Sequence, residues 1–177
     1  MIEISAEALA SAVHDIEREL AKIGWDQAPS LFALVPTKLV LEQSNGLDEQ
    51  SVALMRSQLA ANADNLTAVL QEDIGTDMGE FLAQIEWPEQ VVGVACAMER
   101  IILPPCAEAA APQEASARES YLLAHPDRED VRIVSGALRN GDTWTAIRTR
   151  KHDDADTVAA GQGLVPELEK ALHATLN

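Results

Sequence analysis

The longest apolar run in this chain, Trp87 to Pro105, constrains its fold more than any other feature. It reads Trp-Pro-Glu-Gln-Val-Val-Gly-Val-Ala-Cys-Ala-Met-Glu-Arg-Ile-Ile-Leu-Pro-Pro, with proline near both ends. Val91, Val92, Val94, Ala95, Ala97, Met98, Ile101, Ile102 and Leu103 leave no solvated face, so the segment belongs inside a fold. The density of valine at its start favours a long central strand over about 90–103. A helix opening on Pro88 is the alternative left open by the pattern. In either case Cys96 packs as a small hydrophobe, and Glu99-Arg100 is the polar break.

That break keeps the run from reading as a membrane span. With 177 residues, 47% of them hydrophobic and 24% charged, the chain suits one soluble domain over 1–177. The acidic start, Met1-Ile-Glu-Ile-Ser-Ala-Glu, lacks the basic opening of a signal peptide, and a cytoplasmic location is the expectation. Cys96 and Cys106 do not form a disulfide framework, because a bridge would have to double back across Pro104-Pro105.

The net charge of −16 repels phosphate backbones, and 3% aromatic residues offer few stacking platforms. Nucleic acid is therefore not an expected partner. Such a field serves solubility, or it attracts a basic partner. Between Arg56 and Arg100 there is no Lys, Arg or His, while Asp64, Glu72, Asp73, Asp77, Glu80, Glu86, Glu89 and Glu99 all fall there. Arg132, Arg139, Arg148, Arg150 and Lys151 gather further on. The acidic and basic halves are expected to pair within the domain, or across the interface of a homodimer.

Ser5 followed by Ala-Glu-Ala-Leu predicts a capped helix start. Leu9, Val13, Ile16, Leu20 and Ile23 form one stripe, and Gly24 ends the helix. Ser30 to Pro36 reads as a buried strand, and Thr37 caps a short helix through Leu41. Residues 43–48 read as a loop, Ser51 to Asn62 as weakly helical, and Leu66 to Glu72 as a strand, with a helical turn as the alternative. Thr76 is the expected cap of a helix presenting Phe81, Leu82 and Ile85. The stretch 105–120, rich in Ala, Glu and Pro, reads as a mobile loop-like insertion. Val131 to Arg150 is a β-hairpin turning on Asn140-Gly141 in a type I′ turn, with Ala137 facing Trp144 and Ile133 facing Arg148. A loop over 151–163 precedes a last helix, opened by Pro166 and carrying Leu168, Leu172 and Leu176. The sum is an α+β fold, a mainly antiparallel sheet flanked by N-terminal and C-terminal helices in a two-layer sandwich. Its order of elements is similar to that of small dimeric secretion chaperones.

No phosphate loop, nucleophile elbow or His-Glu-x-x-His motif is present. No motif therefore assigns an enzymatic activity or a cofactor. His152, Asp153, Asp154 and Asp156 form a weak metal-ligand candidate, opposed by Lys151 and lacking the glycine and distal glutamate of a calcium loop. His125 and Asp127 could form an acid/base pair or, as plain structure, a turn. Arg148 and Arg150, two apart on one strand face, could grip an anionic ligand. With Trp25 and Trp144 they are the speculative ligand-binding set, lining a pocket between sheet and helices.

Gly24-Trp-Asp26, Leu31-Phe-Ala-Leu-Val35, Phe81-Leu-Ala-Gln-Ile-Glu-Trp-Pro-Glu89, Glu99-Arg-Ile-Ile-Leu-Pro-Pro105, His125-Pro-Asp127 and Leu164-Val-Pro-Glu-Leu168 run over most of the chain. In these elements it resembles a family of uncharacterised actinobacterial proteins. The resemblance implies a soluble α+β protein and brings no catalytic residues. Three functions are carried forward: a non-catalytic interaction, assembly or chaperone-like protein with an unknown protein partner, a small-molecule binding domain, and an enzyme of unrecognised type resting on His125, Asp127 and the His152 loop.

Overall fold

The computed structural model describes residues 3–43, 45–72, 74 and 77–177. Its centre is the run that opens the sequence analysis, a strand rather than a helix. β3 (Gly93–Ile102) begins after a turn in which Val91 N donates to Pro88 O, so the strand starts three residues later than expected. Around it lie β1 (Ser30–Pro36), β2 (Leu66–Gln71), β4 (Glu129–Leu138), β5 (Thr143–Thr149) and a short β6 (Ala159–Gly161). The sheet order is β2-β1-β3-β4-β5-β6, and every neighbouring pair is antiparallel.

Alternation along the strands buries residues on both sides of the sheet. Leu34, Ala95, Ala97, Val134 and Ala146 face α1 (Ala6–Ile23), meeting Leu9, Ala12, Val13 and Ile16. Leu31, Ala33, Val94, Cys96 and Ile133 point the other way, onto Leu168, Leu172 and Leu176 of α7 (Pro166–Ala174) and its end. The α+β architecture with flanking helices is thus present. Its two terminal helices lie on opposite faces, giving three layers where two were expected, because the central strands are apolar on both faces. α1 is capped as the sequence predicts: Ser5 accepts from Ala8 N, and Gly24 takes φ +108°.

The shorter helices are α2 (Thr37–Gln43), α3 (Glu49–Ala61), α4 (Met78–Gln84), α5 (Pro105–Ala110) and α6 (Ala115–Ala124). Thr37 does not cap α2. Its hydroxyl accepts from Asn65 Nδ2 and bonds Thr67 Oγ1, tying the helix to β2. Asp48 caps α3, which therefore begins before Ser51. The expected cap Thr76 lies outside the described residues, and Asp77 caps α4 by accepting from Glu80 N. The 105–120 segment is helical rather than a loop: Pro105 opens α5, Glu114 caps α6, and Tyr121 Oη donates to Ala107 O. In the expected 151–163 loop, a 3₁₀ turn (Ala155–Thr157) leads into β6.

The hairpin departs from expectation in a way that matters for the site. Gly141 N donates to Leu138 O, Leu138 N donates to Asp142 O, and Gly141 alone at the tip has positive φ (+98°). This is a three-residue loop, not a two-residue type I′ turn. Arg139 drops out of the ladder to β5 because its N–H donates to Val92 O. The register moves by one, so Gly136 pairs with Trp144, Ile133 with Ile147 and Arg132 with Arg148. A shift of one residue changes the facing partner of every side chain.

Candidate functional site

The corrected register places Arg132 between Glu99 on β3 and Arg148 on β5, at the end of the sheet where α1 finishes. Arg148 is 5% exposed and Glu17, on α1, 2%. The guanidinium forks onto Glu17, Nε to Oε1 at 2.5 Å and Nη2 to Oε2 at 3.1 Å. Its Nη1 donates to Asp153 Oδ1 at 3.1 Å, and Asp153 Oδ2 accepts from Trp25 Nε1 at 3.0 Å. Arg132 donates from Nη2 to Gly24 O and lies 4.5 Å from the centre of the Trp25 ring. Its Nη1 is buried without a hydrogen-bond partner among the described residues, and the guanidinium lies against the indole face.

Arg150 approaches the same indole at 5.7 Å and forks onto Asp26 at 2.8 and 3.0 Å. Asp26 has φ +64°, the only positive value at a non-glycine among the described residues. Glu99 holds that turn by accepting from Asp26 N at 2.9 Å and Gln27 N at 2.6 Å. Arg132, Arg150 and Asp153 thus meet at one tryptophan, with Glu17 holding Arg148 and Glu99 holding the adjacent turn.

The charges in this cluster are locked. The hydrogen bond from Arg150 holds the Asp26 carboxyl below its ordinary range, and the Trp25 indole followed by Arg148 does the same for Asp153. Glu17 raises Arg148, and Asp26 raises Arg150. Carboxylates kept ionised are poor acids, and guanidinia already forked have few donors left for a ligand. The arrangement works as a staple joining the end of α1, the 24–27 turn, the sheet end and the 151–158 segment.

Three of the four speculative ligand-binding residues, Trp25, Arg148 and Arg150, therefore meet. Trp144 does not join them: its Nε1 lies 3.3 Å from His14 Nε2, four residues up β5 and roughly 13 Å along the strand. Glu17 and Asp153 take the hydrogen bonds of Arg148, and Asp26 takes those of Arg150. The weak metal candidates do not converge either. Asp153 serves Arg148 and Trp25, Asp154 accepts from Asp156 N, and the carbonyl of His152 accepts from Thr157 Oγ1. Among the described residues no group of three His, Cys, Asp or Glu is placed to hold a metal ion. His125 Nδ1 accepts from Asp127 N, which makes that pair a turn.

Sequence reasoning missed Glu17, Arg132 as a stacked cation, and Glu99 as a turn clamp. Glu17 carried a signal, since it interrupts the apolar stripe of α1 between Val13 and Leu20, and a carboxylate on a buried face calls for a cationic partner. Arg139 was also missed as a clamp. It donates to the carbonyls of Trp87, Pro88, Val91 and Leu176, fixing the Trp-Pro turn to the chain end.

The profile of the PPA1309-like protein family matches residues 9–177. The chain belongs to that family. The match covers α1 from Leu9 onward, α7 and every strand of the PPA1309-like fold described above, including Glu17 and Arg148. No curated protein and no solved structure matches the chain.

Within the chain, the described residues of the acidic stretch form no ion pair with the basic residues between Arg132 and Lys151. Arg148 and Arg150 pair with Glu17, Asp26, Asp130 and Asp153. Among the described residues, Asp64, Glu72, Asp77, Glu80, Glu86 and Glu89 take part in no ion pair. No helix among the described residues is long and apolar enough to cross a membrane.

Proposed function

We propose that the chain is a non-catalytic, cytoplasmic interaction and assembly protein, chaperone-like in presenting an open strand to another polypeptide. One observation carries this reading. On edge strand β2, Val69 is 43% exposed and Leu70 is 55% exposed. Successive strand residues point to opposite faces, so the last part of β2 is covered on neither side. An uncovered apolar edge is a ready site for strand addition. The polar cluster around Trp25 supports the same reading from the other direction, because its charged groups are engaged with one another. The net charge of −16 weighs against nucleic acid as the partner. An actinobacterial origin belongs to the same proposal.

The test is a photo-crosslinking amino acid placed at Leu70 in cells, with the same probe at Leu123 as control. Leu123 is 53% exposed and lies on α6, outside the sheet. A discrete adduct from position 70 and none from position 123 is the expected result. No adduct from position 70 refutes the reading.

A further inference from the structure

Resting on that reading, we infer that the occupant of the β2 edge is an extended segment bearing lysine or arginine beside apolar residues. It pairs with the backbone of β2 as a seventh strand.

Among the described residues β2 has a strand neighbour on one side only, β1, which leaves its outer backbone groups open to pairing. Edge strands are ordinarily blunted by shortness, proline or charge. The opposite edge, β6, is three residues long. β2 runs for six residues, Leu-Thr-Ala-Val-Leu-Gln, with neither charge nor proline. Carboxylates bracket it: Asp64 precedes the strand and Glu72 follows it, both outside any ion pair among the described residues. The chain supplies no cation from position 57 to position 99 to neutralise them.

A second copy fits this edge poorly. Two β2 strands paired about a two-fold, Leu66 opposite Leu70, would set Asp64 of each copy opposite Glu72 of the other at both ends. Like charges facing across strands repel, and each copy carries −16. A basic segment turns the same bracket into attraction.

The groove beside the strand completes the fit. Between α1, α3 and β2 lies a cavity of about 240 Å³, lined by Ala12, Leu54, Met55, Leu66 and Ala68, with Asp15 also lining it. α3 has no buried residue, and Leu54 stands 60% exposed. Side chains of an added strand that point to the α1 face would enter this groove, alongside Leu66 and Ala68.

The probes are two capped, fluorescein-labelled peptides, Lys-Val-Thr-Val-Thr-Val-Lys and its counterpart with both lysines replaced by glutamate. Binding is followed by anisotropy with the full chain at about 50 mM salt, where surface pairing is weakly screened. The lysine peptide should bind roughly tenfold tighter than the glutamate peptide, as two exposed ion pairs imply. That preference should vanish in Asp64→Lys/Glu72→Lys, a variant whose fold is checked by circular dichroism. Equal binding of the two peptides, or binding of neither at millimolar concentration, overturns the inference. Dimerisation in analytical ultracentrifugation that Leu70→Lys abolishes also overturns it, with a second copy as the occupant. In each of these cases a discrete adduct from position 70 would leave the wider reading standing, and its absence would remove both.

Discussion

Replacing Arg148 by methionine isolates the buried ion pair at the heart of the staple. Methionine keeps much of the packing of the arginine stem and removes the charge. Glu17, 2% exposed, takes both of its hydrogen bonds from Arg148 and is left as a buried carboxylate with no partner. Removing one member of a buried pair costs about 3–5 kcal/mol. Asp153 also loses a bond, but its side chain is 45% exposed and water replaces much of the loss. For a chain of this length each kcal/mol shifts Tm by roughly 2–4 °C, so Arg148→Met should lower Tm by about 6–20 °C. The double variant Glu17→Met/Arg148→Met leaves no orphaned carboxylate and should recover most of that loss, since apolar replacement of both partners is close to neutral. Urea unfolding followed by tryptophan fluorescence measures all three proteins. Trp25 also reports locally, because its indole donates to Asp153. A loss under about 1 kcal/mol for the single variant, or a double variant as damaged as the single, would refute a dry, coupled pair.

Three further outcomes follow from the same structure. Asp26 and Asp153 have carboxyls held below their unfolded values, so their contribution is present above about pH 4 and is lost as pH falls through the folded values. Acid unfolding by circular dichroism should therefore be shallower in Asp26→Asn/Asp153→Asn, and an unchanged acid limb would contradict the pairing. Cys96 is fully buried, which pushes its thiol up to about 12, whereas Cys106 is exposed. A thiol reagent near neutral pH should modify one cysteine in the native protein and two in denaturant, and two fast native thiols would place β3 wrongly. A Cβ on Gly93 would stand 2.7 Å from the backbone oxygen of Ala137, so Gly93→Ala should cost about 1–3 kcal/mol by forcing β3 and β4 apart. A neutral effect in urea titration would argue against that close approach.

Local chemistry explains which parts were legible in the sequence. Ser5 and Gly24 mark the ends of α1 because capping acts within one turn of chain. Ser30 to Pro36, Leu66 to Gln71 and the core of the Val-rich run are strands in the positions their apolar pattern indicates. The 105–120 segment was misread because alanine and glutamate have high helix propensity but provide little apolar surface, and here they form short helices. Asn140-Gly141 marked a turn correctly but not its type. That choice rests on Arg139 N donating to Val92 O, a contact made 47 residues away along the chain.

The sequence alone determined an antiparallel α+β fold built on the Trp87–Pro105 run, the identity of most elements, and an acidic stretch with no cation of its own. Periodicity, caps and charge are written into neighbouring residues and need no knowledge of the remainder. Only the tertiary structure decided that α1 and α7 take opposite faces, and that Glu17, Trp25, Arg132 and Arg148 meet at one place. It also decided that Arg148 and Arg150 pair there with Glu17, Asp26, Asp130 and Asp153. The reason is register: one residue of slip in the hairpin changes which arginine faces which strand, and a contact outside the hairpin fixes that slip.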